Sequence, residues 1–128
     1  MPLIHIEGMP GDNVVSAEWL LKLIDQIQQA VAKLPVFNIP ADEVFVFFPV
    51  DRVKEGLGEE LIASVSGLFE QPERTPEVMR TMQEAVCDVL EIFAKRHLPM
   101  CKIVEVLPPM TMNPNMLVMR EIEHTQIQ

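Results

Sequence analysis

The feature that most restricts what this chain can fold into is a pattern that occurs twice: a short apolar strand, a helix with one apolar stripe, and a second apolar strand. In the first copy, Pro2 to Glu7 alternates, with Ile4 and Ile6 on one face and Leu3, His5 and Glu7 on the other. A turn-forming stretch from Gly8 to Asn13 follows. Ser16 is placed to cap a helix that runs to about Leu34, with Leu20, Ile24, Ile27, Val31 and Leu34 on one stripe. Pro35 and Pro40 close that helix. The run Glu43 to Val50 is nearly continuous in apolar residues and predicts a strand buried on both faces.

The second copy begins after a charged, glycine-containing loop or small hairpin, Asp51 to Gly58. Leu61 to Phe69 predicts a strand. Thr75 is a good N-cap, and Pro76 stands at the first helical position, where a missing N–H costs nothing. Lys95, Arg96 and His97 fall in the last turn of this helix, where its dipole favours cations. Pro99 ends it, and Met100 to Leu107 predicts a fourth strand. A methionine-rich tail follows, with one further short strand expected at Met116 to Ile122.

The expectation is an α+β fold: two β-α-β units, about 2–50 and 60–107, in one domain spanning 1–128. Two one-striped helices can cover one face of a sheet. The other face then needs a cover that this chain does not supply, which predicts self-association. The tail, 108–128, with Met110, Met112, Met116 and Met119, is expected at the subunit interface.

Charge narrows the partners. Acidic residues outnumber basic ones 19 to 10, for a net charge of −9, and that field repels phosphate backbones and anionic membranes. Neither a nucleic-acid nor a membrane partner is expected. No apolar run reaches the roughly 18 residues of a membrane span, and no basic segment precedes an apolar leader. Cys87 and Cys101 belong to no CxxC or CxxH pattern, so neither a disulfide framework nor a zinc site is expected. These readings together predict a cytoplasmic protein that works without cofactor or metal. The absence of tyrosine removes any mechanism that needs a phenol.

Pro2 is the residue with the most chemistry to offer. Removal of Met1 would leave a free secondary amine at the start of a buried strand. Desolvation there disfavours the cation, and a neutral amine near pH 7 is a competent general base. The plain reading is that proline merely occurs at this position. Its setting gives it weight: MPLIHIEG at the start and NIPADEVFVFF, Asn38 to Phe48, resemble the tautomerase superfamily. That group includes 4-oxalocrotonate tautomerase, malonate semialdehyde decarboxylase and macrophage migration inhibitory factor. The resemblance covers the chain to about Leu107. It implies a mixed four-stranded sheet with pseudo-two-fold symmetry and both helices on one face. It also implies a homotrimer and Pro2 as catalytic base.

Substrates of that superfamily usually carry a carboxylate, for which arginine is the natural partner. Here the match is uneven. The short members have an arginine after the first strand and another inside the second, where this chain has Met9, Pro10, Gly11 and Phe45. The decarboxylase-type members place arginines at the corner before the second helix. Arg74 fits one of them, and Pro72 stands where the other would be. Arg74 is therefore the first candidate for substrate binding, with a solvated surface arginine as its competing reading. Arg52, beside Lys54, is the second, with a charged hairpin tip as the alternative; an oligomer could bring that loop over a neighbour's Pro2.

His5 and Glu7 share a strand face and could form a relay or half a metal site, although an interface pair is the simpler reading. His97 reads as a helix terminus, His124 as a tail residue and Cys87 as packing. Gly56 and Gly58 form no phosphate loop. Three functions fit these readings. One is a tautomerase-like isomerase of small 2-oxo or 2-hydroxy acids. The others are a catalytically silent oligomeric binder on the same fold and a ferredoxin-like domain that binds a small regulatory ligand.

Overall fold

A computed structural model describes residues 2–11, 14–49 and 58–124. Its elements follow the doubled pattern: β1 (Leu3–Glu7), α1 (Ala17–Ala32), β2 (Phe45–Phe47), β3 (Glu60–Ser66), β4 (Leu68–Phe69), α2 (Pro76–His97), β5 (Ile103–Val106) and β6 (Thr111–Met112). Four strands form one sheet in the order β2-β1-β3-β5, and β4 and β6 form a separate parallel ribbon. Within each unit the two strands are parallel neighbours, β1 with β2 and β3 with β5. The units join through the antiparallel pair β1–β3, in which Ile4 stands opposite Val65 and Ile6 opposite Ala63. This is an α+β fold with a mixed sheet. A ferredoxin-like domain splits its β-α-β units so that their parallel strands are not adjacent. Here they are adjacent, and that alternative is set aside.

The caps behave as their residue types predict. Ser16 Oγ accepts from the Trp19 N–H at 3.4 Å and Thr75 Oγ1 from the Val78 N–H at 3.3 Å, each satisfying an orphan donor of its helix. Pro76 opens α2, and Lys95, Arg96 and His97 lie in its last turn. The stripe of α1 is centred on Leu23, Ile27 and Val31, so Leu23 joins the expected set, while Leu20 and Leu34 flank the core. Helix α1 ends at Ala32, before Leu34.

Strand alternation decides which face is covered. Ile4, Ile6, Leu61, Ala63 and Val65 are buried against Leu23, Ile27, Met82, Val86, Leu90 and Phe93 of the helices. The opposite face, carrying Leu3, Phe45, Phe47, Ile62 and Ile103, has no cover among the described residues.

Three sequence expectations need correction. The run from Glu43 is not one strand buried on both faces: Ala41–Glu43 is a 3-10 turn, β2 spans Phe45–Phe47, and Phe45 and Phe47 are 39% and 45% exposed. The third strand breaks at Gly67, whose φ of +78° turns the chain out of the sheet. Finally, 116–122 is not a strand. The tail's short strand is β6, followed by a 3-10 turn at Pro114–Met116 and no regular structure over 117–124. No strand among the described residues pairs with this run. No helix among the described residues is long and apolar enough to cross a membrane.

Candidate functional site

Pro2 is buried at the head of β1, and its carbonyl accepts from the Phe45 N–H at 3.1 Å. Parallel pairing with β2 fixes the strand that carries it. Arg74 comes from the other half of the chain, on the corner between β4 and α2. The fold brings the two together. Pro2, Ile39, Glu43, Gly67, Leu68, Phe69 and Arg74 line one cavity of about 200 Å³.

Each wall has a local cause. Breaking the strand at Gly67 lets Leu68 and Phe69 leave the main sheet and pair with β6. The Glu70 N–H donates to the Met112 carbonyl at 3.0 Å, and the Met110 N–H to the Val65 carbonyl at 2.9 Å, so the start of the tail braces this wall. On the facing side, the 3-10 turn is closed by the Glu43 N–H donating to the Pro40 carbonyl at 3.0 Å. Helix α1 holds the turn from behind, with Gln28 Nε2 donating to the Val44 carbonyl at 2.9 Å.

Arg74 is not a free surface cation. Its Nη1 donates to the Phe69 carbonyl at 2.7 Å, and the guanidinium lies 5.6 Å from the centre of the Phe37 ring. Nε is buried and has no hydrogen-bond partner. A buried charged donor left unpaired is costly, so such an atom on a cavity wall points to a missing acceptor. Burial lowers the guanidinium's affinity for its proton and the neighbouring Glu73 carboxylate opposes this; an arginine remains cationic at neutral pH regardless.

Larger hollows lie elsewhere, beside α2. One of about 460 Å³ is lined by Cys87, Glu91, Lys95, Leu98, Cys101, Lys102 and Ile103, and another of about 490 Å³ lies between Pro76 and Pro109. Size alone would favour them. Neither presents an orphaned polar atom or Pro2, and burial, then Glu91 and Asp88, push the Cys87 thiol up and away from a reactive thiolate. Chemistry favours the smaller cavity.

The other candidates disperse. Arg52 and Lys54 lie outside the described residues. His5 stacks on Phe47 at 4.9 Å on the open sheet face. His97 packs between Trp19 and Phe93 at 4.3 and 4.8 Å and ties the helices together. No group of three metal-ligating side chains occurs among the described residues. Glu43 is the residue that sequence reasoning missed. Read as the first residue of a strand it had no distinct direction; the 3-10 turn puts it on the cavity.

Comparisons with known proteins agree on the architecture. No family model and no curated relative matches the chain. Solved structures do. A fused 4-OT (4-oxalocrotonate tautomerase) wild-type asymmetric trimer superposes with TM-score 0.65 at 10% identity, covering 91% of each chain. A malonate semialdehyde decarboxylase inhibited by 3-bromopropiolate gives 0.54 at 18% identity, covering 93% of this chain and 89% of its own. A macrophage migration inhibitory factor-like protein from Entamoeba histolytica gives 0.57 at 10% identity, covering 93% and 95%. At such identities the likeness is one of fold: the chain shares the α+β architecture of these solved structures.

Proposed function

We propose that this protein is a tautomerase-like enzyme that interconverts keto and enol forms of a small 2-oxo or 2-hydroxy acid, with Pro2 as general base and Arg74 as carboxylate anchor. The observation that carries this reading is the shared cavity: the only described residues of the expected site, from opposite halves of the chain, line it together.

The mature chain, in this reading, begins at Pro2 after loss of Met1. The prolyl nitrogen then holds a lone pair in a site walled by Ile39, Leu68 and Phe69, where desolvation favours the neutral amine. It takes a proton from the carbon beside the substrate carbonyl. The C–H electron pair becomes the new carbon–carbon double bond, and the carbonyl oxygen takes up the negative charge. The prolinium then returns the proton to the far carbon or to oxygen. Arg74 holds the adjacent carboxylate and stabilises the charge that spreads toward it. The chemistry needs no cofactor.

The open sheet face and the exposed tail residues Met116, Val118, Met119 and Ile122 fit a homotrimer, the assembly of fused 4-OT structures with this fold. In such an assembly Arg52 of a neighbouring copy would be the second cation. A cytoplasmic location and a small carboxylate as partner complete the reading.

A single arginine among the described residues that line the cavity, with Pro72 in place of a second, favours a catalytically silent binder as the other reading. One experiment separates them. Intact mass establishes whether Met1 is lost. Turnover of phenylenolpyruvate, a monocarboxylate, by wild type and Pro2→Ala follows, with labelling of the Pro2 nitrogen by 3-bromopropiolate as an independent probe. Turnover that falls by about 10²-fold or more in the variant supports the enzyme, in line with the usual contribution of a positioned base. Retained Met1, or equal rates in both proteins, leaves the silent scaffold.

A further inference from the structure

The Pro2 cavity contains two opposite charges that do not neutralise each other. Arg74 and Glu43 both line it, yet no ion pair joins them, and Glu43 has no ion-pair partner among the described residues. Nη1 of Arg74 is committed to the Phe69 carbonyl. What remains is the side-on fork, Nε with Nη2, and Nε is the atom left without a partner. That fork fits one carboxylate, held by two parallel hydrogen bonds. The rest of the wall, Ile39, Leu68 and Phe69, offers no side-chain donor or acceptor.

Glu43 is held in place by its backbone. The Pro40-to-Glu43 turn fixes the residue on one side, and the Gln28 amide holds the carbonyl of Val44 on the other. Its ionised carboxylate accepts hydrogen bonds and donates none. A second anion on the ligand would meet it as a like charge, and the net charge of −9 adds to the repulsion.

We infer that Glu43 makes this a dipolar site, selecting ligands with one carboxylate at the Arg74 end and a hydroxyl or ammonium donor at the other, and excluding dicarboxylates. The inference rests on the reading of the Pro2 cavity as the ligand site and adds to it a choice of substrate class. Glu43 acts on which ligand enters; the proton transfer belongs to Pro2.

A matched probe series tests it: 3-phenylpropanoate, 3-(4-hydroxyphenyl)propanoate and 3-(4-carboxyphenyl)propanoate, titrated by calorimetry into the full chain at neutral pH. Wild type is expected to bind the hydroxyl probe tighter than the dicarboxylate by about tenfold or more, the size of one close like-charge contact in a partly wet site. Glu43→Gln should close most of that gap while leaving 3-phenylpropanoate within about twofold, since a neutral amide removes only the repulsion. Glu43→Lys should reverse the order. Glu43 is exposed, so neither change threatens the fold. Equal binding of the hydroxyl and dicarboxylate probes by wild type, or an unchanged ratio in Glu43→Gln, overturns the inference. So does binding of no probe at all, and the proposed reaction still stands in that case if 3-bromopropiolate labels Pro2. Discrimination among probes with an inert Pro2 sinks the reaction and keeps the dipolar site.

Discussion

In the proposed reading Arg74 serves two purposes. Nη1 closes the end of β4 through the Phe69 carbonyl, and the residue also lines the Pro2 cavity, where its remaining donors would hold the ligand. Lysine keeps the charge but has no planar fork, so it cannot do both. Arg74→Lys is expected to raise KM for a carboxylate substrate about tenfold, equivalent to roughly 1.4 kcal/mol, with a smaller change in kcat. Steady-state kinetics on the wild type and the variant measure that split, and an unchanged KM would remove Arg74 from binding. The sequence singles out Pro2 by the secondary amine that loss of Met1 would leave and by the resemblance of its setting, and Arg74 as a cation at the start of a helix, where the dipole disfavours it. Glu43 was not legible. Nothing in DEVFVFF distinguishes a strand's first residue from the last residue of a 3-10 turn, and only the latter puts the residue on the cavity.

At the scale of elements, the two β-α-β units use the same fastening. Gln28 of α1 donates to the Val44 carbonyl just before β2, and Gln83 of α2 donates to the Val106 carbonyl at the end of β5, both at 2.9 Å. Each amide ties a helix to the second strand of its own unit. Removing either leaves a carbonyl poorly satisfied, at about 1–2 kcal/mol. Gln28→Leu and Gln83→Leu are therefore expected to lower stability to urea by similar amounts. They should differ at the cavity. Only Gln28 supports the turn that presents Glu43, so only Gln28→Leu should also weaken discrimination between the hydroxyl and dicarboxylate probes. Equal effects on both properties would show that the fastening is purely structural. Gly8 is a second fixed point: its φ is +91°, and a Cβ there would run into the Glu60 carbonyl. Gly8→Ala should cost about 2 kcal/mol or more, measured by the same urea titration. Most of this architecture was readable, because caps, prolines and stripes are local signals. The ends of strands were not, because they depend on neighbours: Gly67 ends β3 by turning the chain out of the sheet. The apolar residues at 116–119 have no such neighbour among the described strands.

At the scale of the molecule, the sheet face that the described residues leave uncovered combines a need for cover with a reason to resist it. Leu3, Phe45, Phe47, Ile62 and Ile103 form its apolar part. Register puts Glu7 and Glu105 on either side of Ile62, and Glu60 beside Ile103 one step along. With His5 these are the titratable side chains that β1, β2, β3 and β5 present on that face. The Glu60 carboxyl is pushed up from 4.5, first by its hydrogen bond with Glu105, then by that group's charge, then by slight burial. A carboxyl whose native pKa is raised stabilises the native arrangement fully below its unfolded value, here 4.5, and loses that contribution as pH rises through the native value. Joining copies through this face would crowd these carboxylates further, so protonation should favour both the fold and the assembly. Sedimentation velocity at pH 5 and pH 7.5 is expected to show tighter self-association in acid. Glu105→Gln should tighten it at pH 7.5 and flatten the dependence, because Glu60 then loses the partner that shares its proton. Phe47→Glu should dissociate the assembly at both pH values. An oligomer whose mass ignores both pH and the Phe47 change would mean that copies join elsewhere, and that this face waits for a different cover.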